Sequence, residues 1–313
     1  MYKLRFLLSI AATLFFSLAL CSTTQAAART YVSVTGADSN PCTYASPCRL
    51  FQHAHDVVAD GGEVIALTSG AYGTLTITKN VTISGVGVSA VASPNSTEDA
   101  ITIATAGITV VLRSISIRAF GAGTGGNGIN VTSVRDLHIE GCVISGFIRT
   151  GILVDLSTGS HIFIKDTIVR NNGIGGIFIT TSTGTVRASI DNCRLERNFD
   201  DGFFASNNSR VTINRSVASG NGGGGFYAFS DASGATTALS CEECVSSNNS
   251  NGFIVQAYSG GAATIRVSHS VATNNSNNGF LQAVAGVFKS LVNNLVDGNG
   301  TDTSGTITVL AAQ

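Results

Sequence analysis

Six charged side chains fall between Asp191 and Asp201: Asp191, Arg194, Glu196, Arg197, Asp200 and Asp201. Two carboxylates held close can divide a proton transfer, one as acid and the other as base or nucleophile. Asp191, Arg194, Glu196, Asp200 and Asp201 are therefore the catalytic candidates. Other reactive residues are scattered. Cys241-Glu242-Glu243-Cys244 has CxxC spacing, but no second CxxC or histidine pair lies nearby to complete a zinc site. His53 and His55, two apart on an expected helix, point to different faces and are no metal pair. A Ca²⁺ cage from Asp166, Asp191 and Glu242 would need oxygens converging from distant segments. Hydroxyls are everywhere, so no Ser-His-Asp set stands out, and His138, His161 and His269 remain as bases.

What positions these residues is a recurring phrase. It opens at Gly128-Ile129, Gly151-Ile152, Gly176-Ile177, Gly202-Phe203, Gly225-Phe226, Gly252-Phe253 and Gly279-Phe280, at intervals of 23 to 27 residues. Its pieces are short, β-branched and rich in Gly and Asn. A leucine-rich repeat has a similar period, but it needs a leucine framework and a helical half that are missing here. The spacing predicts an all-β parallel β-helix in which each coil pairs with the next at about 4.8 Å, so that like residues stack on like. Asn172, Asn198, Asn221, Asn249, Asn275 and Asn299 then form a ladder, placed at the recurring bend because asparagine tolerates a left-handed backbone.

Period-two alternation assigns Ile129, Ile152, Ile177, Phe203, Phe226, Phe253 and Phe280 inward, with the four phenylalanines as an internal stack. The residues that follow, Asn130, Leu153, Phe178, Phe204, Tyr227, Ile254 and Leu281, point outward. Solvated strands normally carry polar groups there. The apolar stripe from Leu153 to Leu281, roughly 24 Å long, is either covered by a loop or the C-terminal tail or is a contact surface for protein or sugar rings. The same columns make Cys241 a core residue in the place of Ile213 and Val267, and set Cys142, Cys193 and Cys244 beside Thr167, Ser216 and Ser270. Asp201 stands where Asn127, Asn251 and Asn278 stand, which reads as a turn position.

Residues 1–28 have the parts of a secretory signal: Lys3 and Arg5, an apolar run from Phe6 to Leu20, and small residues at Ala26-Ala27-Ala28. The mature chain carries no second long apolar run, so export without a membrane span is expected. Residues 29–73 read as an N-terminal cap and 74–313 as coils. Within the cap, Ser46 and Pro47 read as N-cap and first helical residue, Leu50, Ala54, Val57 and Val58 as its apolar face, and Gly61-Gly62 as its stop. Cys42 and Cys48 bracket a short loop and are expected to be bonded in an oxidising compartment.

Tyr31-Val32-Ser33, Gly36-Ala37-Asp38-Ser39-Asn40, Cys42-Thr43, Pro47-Cys48, Gly61-Gly62-Glu63-Val64 and Gly70-Ala71-Tyr72-Gly73 carry a resemblance. They look like the opening segment of secreted bacterial right-handed β-helix proteins of the pectate-lyase-like superfamily. Ser216-Val217-Ala218-Ser219-Gly220-Asn221 and Ser270-Val271-Ala272-Thr273-Asn274-Asn275 are similar to that group's repeats. The resemblance implies a right-handed β-helix, and an activity only loosely, because the superfamily spans lyases, hydrolases, epimerases and adhesins. Its lyases bind Ca²⁺ with acidic residues on an outer sheet, and its hydrolases use close aspartates that Asp200-Asp201-Gly202 superficially resembles. The hydrolases' Gly-His-Gly and Arg-Ile-Lys signatures are absent.

Two functions follow as expectations. One is a non-catalytic extracellular protein binding polysaccharide or a protein partner through the stripe Leu153, Phe178, Phe204, Tyr227, Ile254 and Leu281 and the loops at 156–160, 180–185, 230–236 and 257–262. The other is a polysaccharide lyase or glycoside hydrolase on acidic polysaccharide, with Ca²⁺ as cofactor only in the lyase case. Sparse charge and absent tryptophan favour the first. A net charge of -1 without a Lys/Arg run argues against nucleic acid, and an oligomer is compatible with the stripe.

Overall fold

The computed structural model describes residues 27–311 except 86, 89, 93, 95, 96, 121–124 and 259. The export signal read over residues 1–28 therefore lies outside the described residues, save Ala27 and Ala28. Among the described residues, short strands form three parallel sheets of twelve, ten and ten strands. Each coil gives one strand to each: Asp136–Glu140, Val143–Ser145 and Ile152–Leu156 in one coil, and His161–Lys165, Ile168–Arg170 and Ile177–Thr181 in the next. We call these sheets A, B and C in that order. Successive coils pair in register, Ile129 with Ile152, then Ile177, Phe203, Phe226, Phe253 and Phe280. All seven are buried, so the inward files form the core. Ring contacts run from Phe226 through Phe253 and Phe280 to Phe288 of sheet A, with centroids 5.2, 5.6 and 4.7 Å apart.

Two of the three corners share one construction: a residue with positive φ, then a small or polar side chain facing the next coil. Between sheets A and B the positive-φ residues include Gly141, Asp166, Asn192, Arg215, Glu243 and His269. The residue after each is Cys142, Thr167, Cys193, Ser216, Cys244 or Ser270, so thiol and hydroxyl alternate. The N–H groups of Cys142, Cys193 and Cys244 donate to the hydroxyls of Thr167, Ser216 and Ser270 at 3.3, 3.1 and 3.0 Å. Burial pushes the Cys142 and Cys193 thiols up to about 11 and about 12. Cys241 pairs with Ile213 and Val267 inside sheet A, which accounts for the CxxC spacing by packing.

Between sheets B and C runs the asparagine ladder. Asn172, Asn198, Asn221, Asn249 and Asn275 each donate their amide to Oδ1 of the next, at 3.0, 3.0, 2.9, 3.2 and 2.8 Å. The same oxygens accept the main-chain N–H one coil back, as from Asn198 to Asn221 at 3.0 Å. Asn299 closes the series on the Asp302 carboxylate at 3.0 Å. One expectation is corrected here. The left-handed residue is not the ladder asparagine but the one before it: Asn171, Arg197, Gly220, Asn248, Asn274 and Gly298. Ladder side chains must point inward to meet, and the preceding residue makes the bend. The glycine opening each phrase has a spatial cause. A Cβ on Gly176 would lie 2.4 Å from the Gly202 carbonyl oxygen and 2.9 Å from Asn198 Nδ2.

Among the described residues the third corner, from sheet C back to sheet A, has no hydrogen-bonded side-chain file running through successive coils, and it varies most in length, from Ala205 to Ser209 in one coil and from Ser230 to Thr236 in the next.

At the N-terminal end, helix α1 (Phe51–Val57) lies over the first coil, with Phe51 packed on Tyr72 at 4.9 Å. It starts later than Ser46-Pro47 suggests, because Cys48 is held extended by a bridge to Val32 and by its link to Cys42. Leu50 is the N-cap without a side-chain bond, and Asp38 Oδ1 instead accepts the N–H groups of Arg49 and Leu50 at 2.8 and 3.0 Å. Its buried face is Phe51, Ala54 and His55, not Leu50 and Val57, which are exposed. Gly61 and Gly62 lie within Val58–Ala66, already the second strand of sheet A. The last strand, Ile307–Leu310, joins sheet A and does not cross sheet C.

Truncating a middle rung tests the ladder. Asn221→Ala removes the acceptor of the Asn198 main-chain N–H and of one Asn198 amide hydrogen, the amide keeping only its bond to the Val169 carbonyl, and removes the amide donor to the Leu195 carbonyl. The expected loss is about 3 kcal/mol, read as a lowered urea midpoint.

Candidate functional site

The outer face of sheet C carries the stripe in register: Leu153 beside Phe178, then Phe204, Tyr227, Ile254 and Leu281. Its centre is an aromatic cluster. Phe178 stacks on Phe204 at 4.8 Å with planes 18° apart, and Phe204 meets Tyr227 edge-on at 4.8 Å. Phe229 tilts onto Phe204 at 5.6 Å and meets Tyr227 edge-on at 5.8 Å, and Tyr258 tilts onto Phe229 at 6.0 Å. The Tyr227 hydroxyl donates to Gln256 Oε1. Phe229 and Tyr258 were missed in the sequence. Phe229 is two residues from Tyr227 on the same strand, so alternation alone could have found it. Phe178, Phe204 and Tyr227 are half-buried, whereas Ile254 is only 4% exposed, so the stripe is interrupted there. At the N-terminal end of the file, Asn130 Nδ2 donates to Asp99 Oδ2 at 2.7 Å.

Beside this cluster the turn before Phe203 brings Asp200 and Asp201 to a cleft of about 160 Å³ shared with Phe178, Phe204, Ile174 and Thr150. Glycines make room for the carboxylates: a Cβ on Gly223 would lie 2.4 Å from Asp200 Oδ1 and 2.7 Å from Asp201 Oδ1. Asp201 Oδ1 accepts the Gly224 N–H, which favours its charged form. Burial outweighs this, and with the neighbouring Asp200 charge it pushes the Asp201 carboxyl up to about 7. Tyr227 is also pushed up, first by burial and then by the negative field of Asp201. A protonated carboxyl beside a carboxylate and an aromatic shelf can donate a proton or bind sugar hydroxyls.

The other sequence candidates lie elsewhere, because one coil turns through three faces. Asp191 ends a strand of sheet A, and both its oxygens take the Arg215 guanidinium, at 2.5 and 2.6 Å. Arg194 and Glu196 lie on sheet B and pair with each other, Nε to Oε1 at 2.7 Å. Sharing a coil with Asp200 and Asp201 thus does not bring them to that cleft. The histidines are engaged apart from it: His138 stacks on Phe163 at 4.7 Å, His161 meets Asp136 at 3.2 Å, and His269 meets Glu242 at 2.6 Å. Asp166 accepts from Asn192 at 2.7 Å. Asp166, Asp191 and Glu242 thus have separate partners and do not fit a single Ca²⁺ cage.

The raised Asp201 value fixes a pH dependence. Stability from its neutral carboxyl is fully present below about pH 4 and is lost as pH rises through about 7. Asp201→Asn keeps an acceptor for Gly224 and removes the charge. Its melting temperature should match the parent at pH 4 and exceed it by a few degrees at pH 8, as read by calorimetry.

Among the described residues, no helix is long and apolar enough to cross a membrane. Comparison with curated proteins finds no match. Among solved structures the chain is similar to pectate lyase Pel9A, with TM-score 0.56, 18% identity, and coverage of 91% of this chain and 78% of that one. It is similar to the Azotobacter vinelandii mannuronan C-5 epimerase AlgE4 A-module, with TM-score 0.53, 14% identity and coverage of 81% and 91%. It is also similar to tailspike protein 2 of Escherichia coli O157:H7 bacteriophage CAB120, with TM-score 0.55 and 14% identity, over 83% of this chain and 38% of that one. These likenesses show the fold. The family model described as right handed beta helix region matches residues 127–299, more than half of the sequence. Stacked coils, corner ladders and that match agree that the chain belongs to the right-handed β-helix family.

Proposed function

We propose that the protein is exported and binds a polysaccharide along the outer face of sheet C. The aromatic cluster of Phe178, Phe204, Tyr227, Phe229 and Tyr258 carries this reading, because rings on a rigid strand face offer a low-entropy platform to the apolar faces of sugars. Asp200 and Asp201 at its edge supply hydrogen bonds to hydroxyls. Two similar structures are named for polysaccharides, pectate and mannuronan, which supports a carbohydrate role. The signal-like residues 1–28 and the Cys42–Cys48 link support export.

A second reading, cleavage of the bound chain, is favoured by one observation. A carboxyl held near 7 beside Asp200 is poised as a general acid.

Affinity electrophoresis against neutral and acidic polysaccharides tests the first reading. Phe178→Ser, Phe204→Ser and Tyr227→Ser together should weaken binding by about tenfold or more. Unchanged binding in that variant would remove the proposal, and a changed oligomeric state instead would make the face a protein contact. For the second reading, unsaturated products or new reducing ends should appear and vanish in Asp201→Asn.

A further inference from the structure

We infer that the corner between sheets B and C holds a second binding site, one that takes the oxyanion groups, carboxylate or sulfate ester, of an acidic saccharide. The saccharide part rests on the reading of sheet C, and the oxyanion part stands on its own residues.

Stacking assembles there what the linear sequence keeps apart. A recess of about 450 Å³ is lined by Arg170 of one coil, Arg194 and Arg197 of the next, and Ser219 and Asn248 of the following two. Three guanidinium groups face one carboxylate, Glu196, which is taken by Arg194. Among the described residues, the Arg170 and Arg197 side chains make no ion pair or hydrogen bond. Arg118 stands in the same outward file as Arg170, two coils back through Ser145, and its buried Nε has no hydrogen-bond partner among the described residues. A guanidinium is a planar fork suited to bidentate binding of carboxylate or sulfate, and one on a rigid strand needs little ordering to do so.

The backbone sets where Arg197 leaves the coil. Arg197 has φ 53° in a file whose other members are Gly146, Asn171, Gly220, Asn248, Asn274 and Gly298. Glycine and asparagine adopt that conformation readily, whereas arginine is strained in it. Asp166, Arg215, Glu243 and His269 take the same conformation at the corner between sheets A and B, so at Arg197 it fixes where the side chain leaves the coil, and the recess and the unpaired guanidinium groups carry the site.

The test substitutes what neighbouring coils already carry at these places: Arg170→Ser, as at Ser145 and Ser219, and Arg197→Gly, as at Gly220. Both keep the fold, which an unchanged or raised melting temperature verifies. Calorimetry on the full chain uses three probes: a galacturonate hexamer, a sulfated hexasaccharide and an uncharged hexasaccharide. At least one anionic probe should bind the parent, weaken by about tenfold or more between about 50 mM and about 300 mM salt, and weaken by about tenfold or more in the double variant. The stronger of the two anionic probes identifies the oxyanion. Binding of neither anionic probe, or affinity within about twofold in the double variant, would overturn the site. The Phe178, Phe204 and Tyr227 triple variant should keep this anion binding, so failure of sheet C and failure of this corner give different results.

Discussion

Everything in this molecule depends on one coil lying on the next in exact main-chain register. A single coil has too little apolar surface to hold itself together, so its strands exist only because the neighbouring coil accepts and donates their hydrogen bonds. The corner side chains fix that register. An amide in the asparagine ladder gains only about 1 kcal/mol net when its bonds are made, but costs more when a partner is removed, since each oxygen serves two donors in a dry interior. The ladder therefore penalises any slip between coils more than it rewards a correct fit.

Stacking of like on like is also why the fold could be read from one sequence. Each file repeats the same physical demand, so Ile129 to Phe280 is visible as a column before any coordinates are considered. Legibility fails where the cause is not periodic. The start of α1 depends on Cys48 being pinned to Val32 and Cys42, a contact that capping preferences do not encode. Asn172 and its counterparts look like bend residues because asparagine suits both a bend and a ladder, and only geometry separates the two uses.

The candidate site shows the same division. Phe178, Phe204 and Tyr227 were legible because alternation fixes the face of every strand residue. Grouping Asp191, Arg194 and Glu196 with Asp200 and Asp201 failed because proximity in sequence means little in a coil that turns through three faces. Residues one period apart are neighbours, and residues eight apart face different directions. The arginine recess was hidden for the converse reason, its members being remote in sequence and adjacent in space. The special character of Asp201 is an effect of burial among glycines and a neighbouring charge, which a turn-residue preference cannot register.

The unequal corners set how such a chain can change its length. Two corners are held by side-chain files and change little in length: the step from sheet B to sheet C spans seven positions from Ser219 to Phe226 and six from Ser247 to Phe253, with the strands on both sides still in register. Among the described residues the corner from sheet C to sheet A has no such file, and it absorbs most of the difference between a short coil and a long one. Insertions and deletions should therefore accumulate mostly along one edge of the solenoid, giving a lineage of such proteins a variable rim on a steadier barrel.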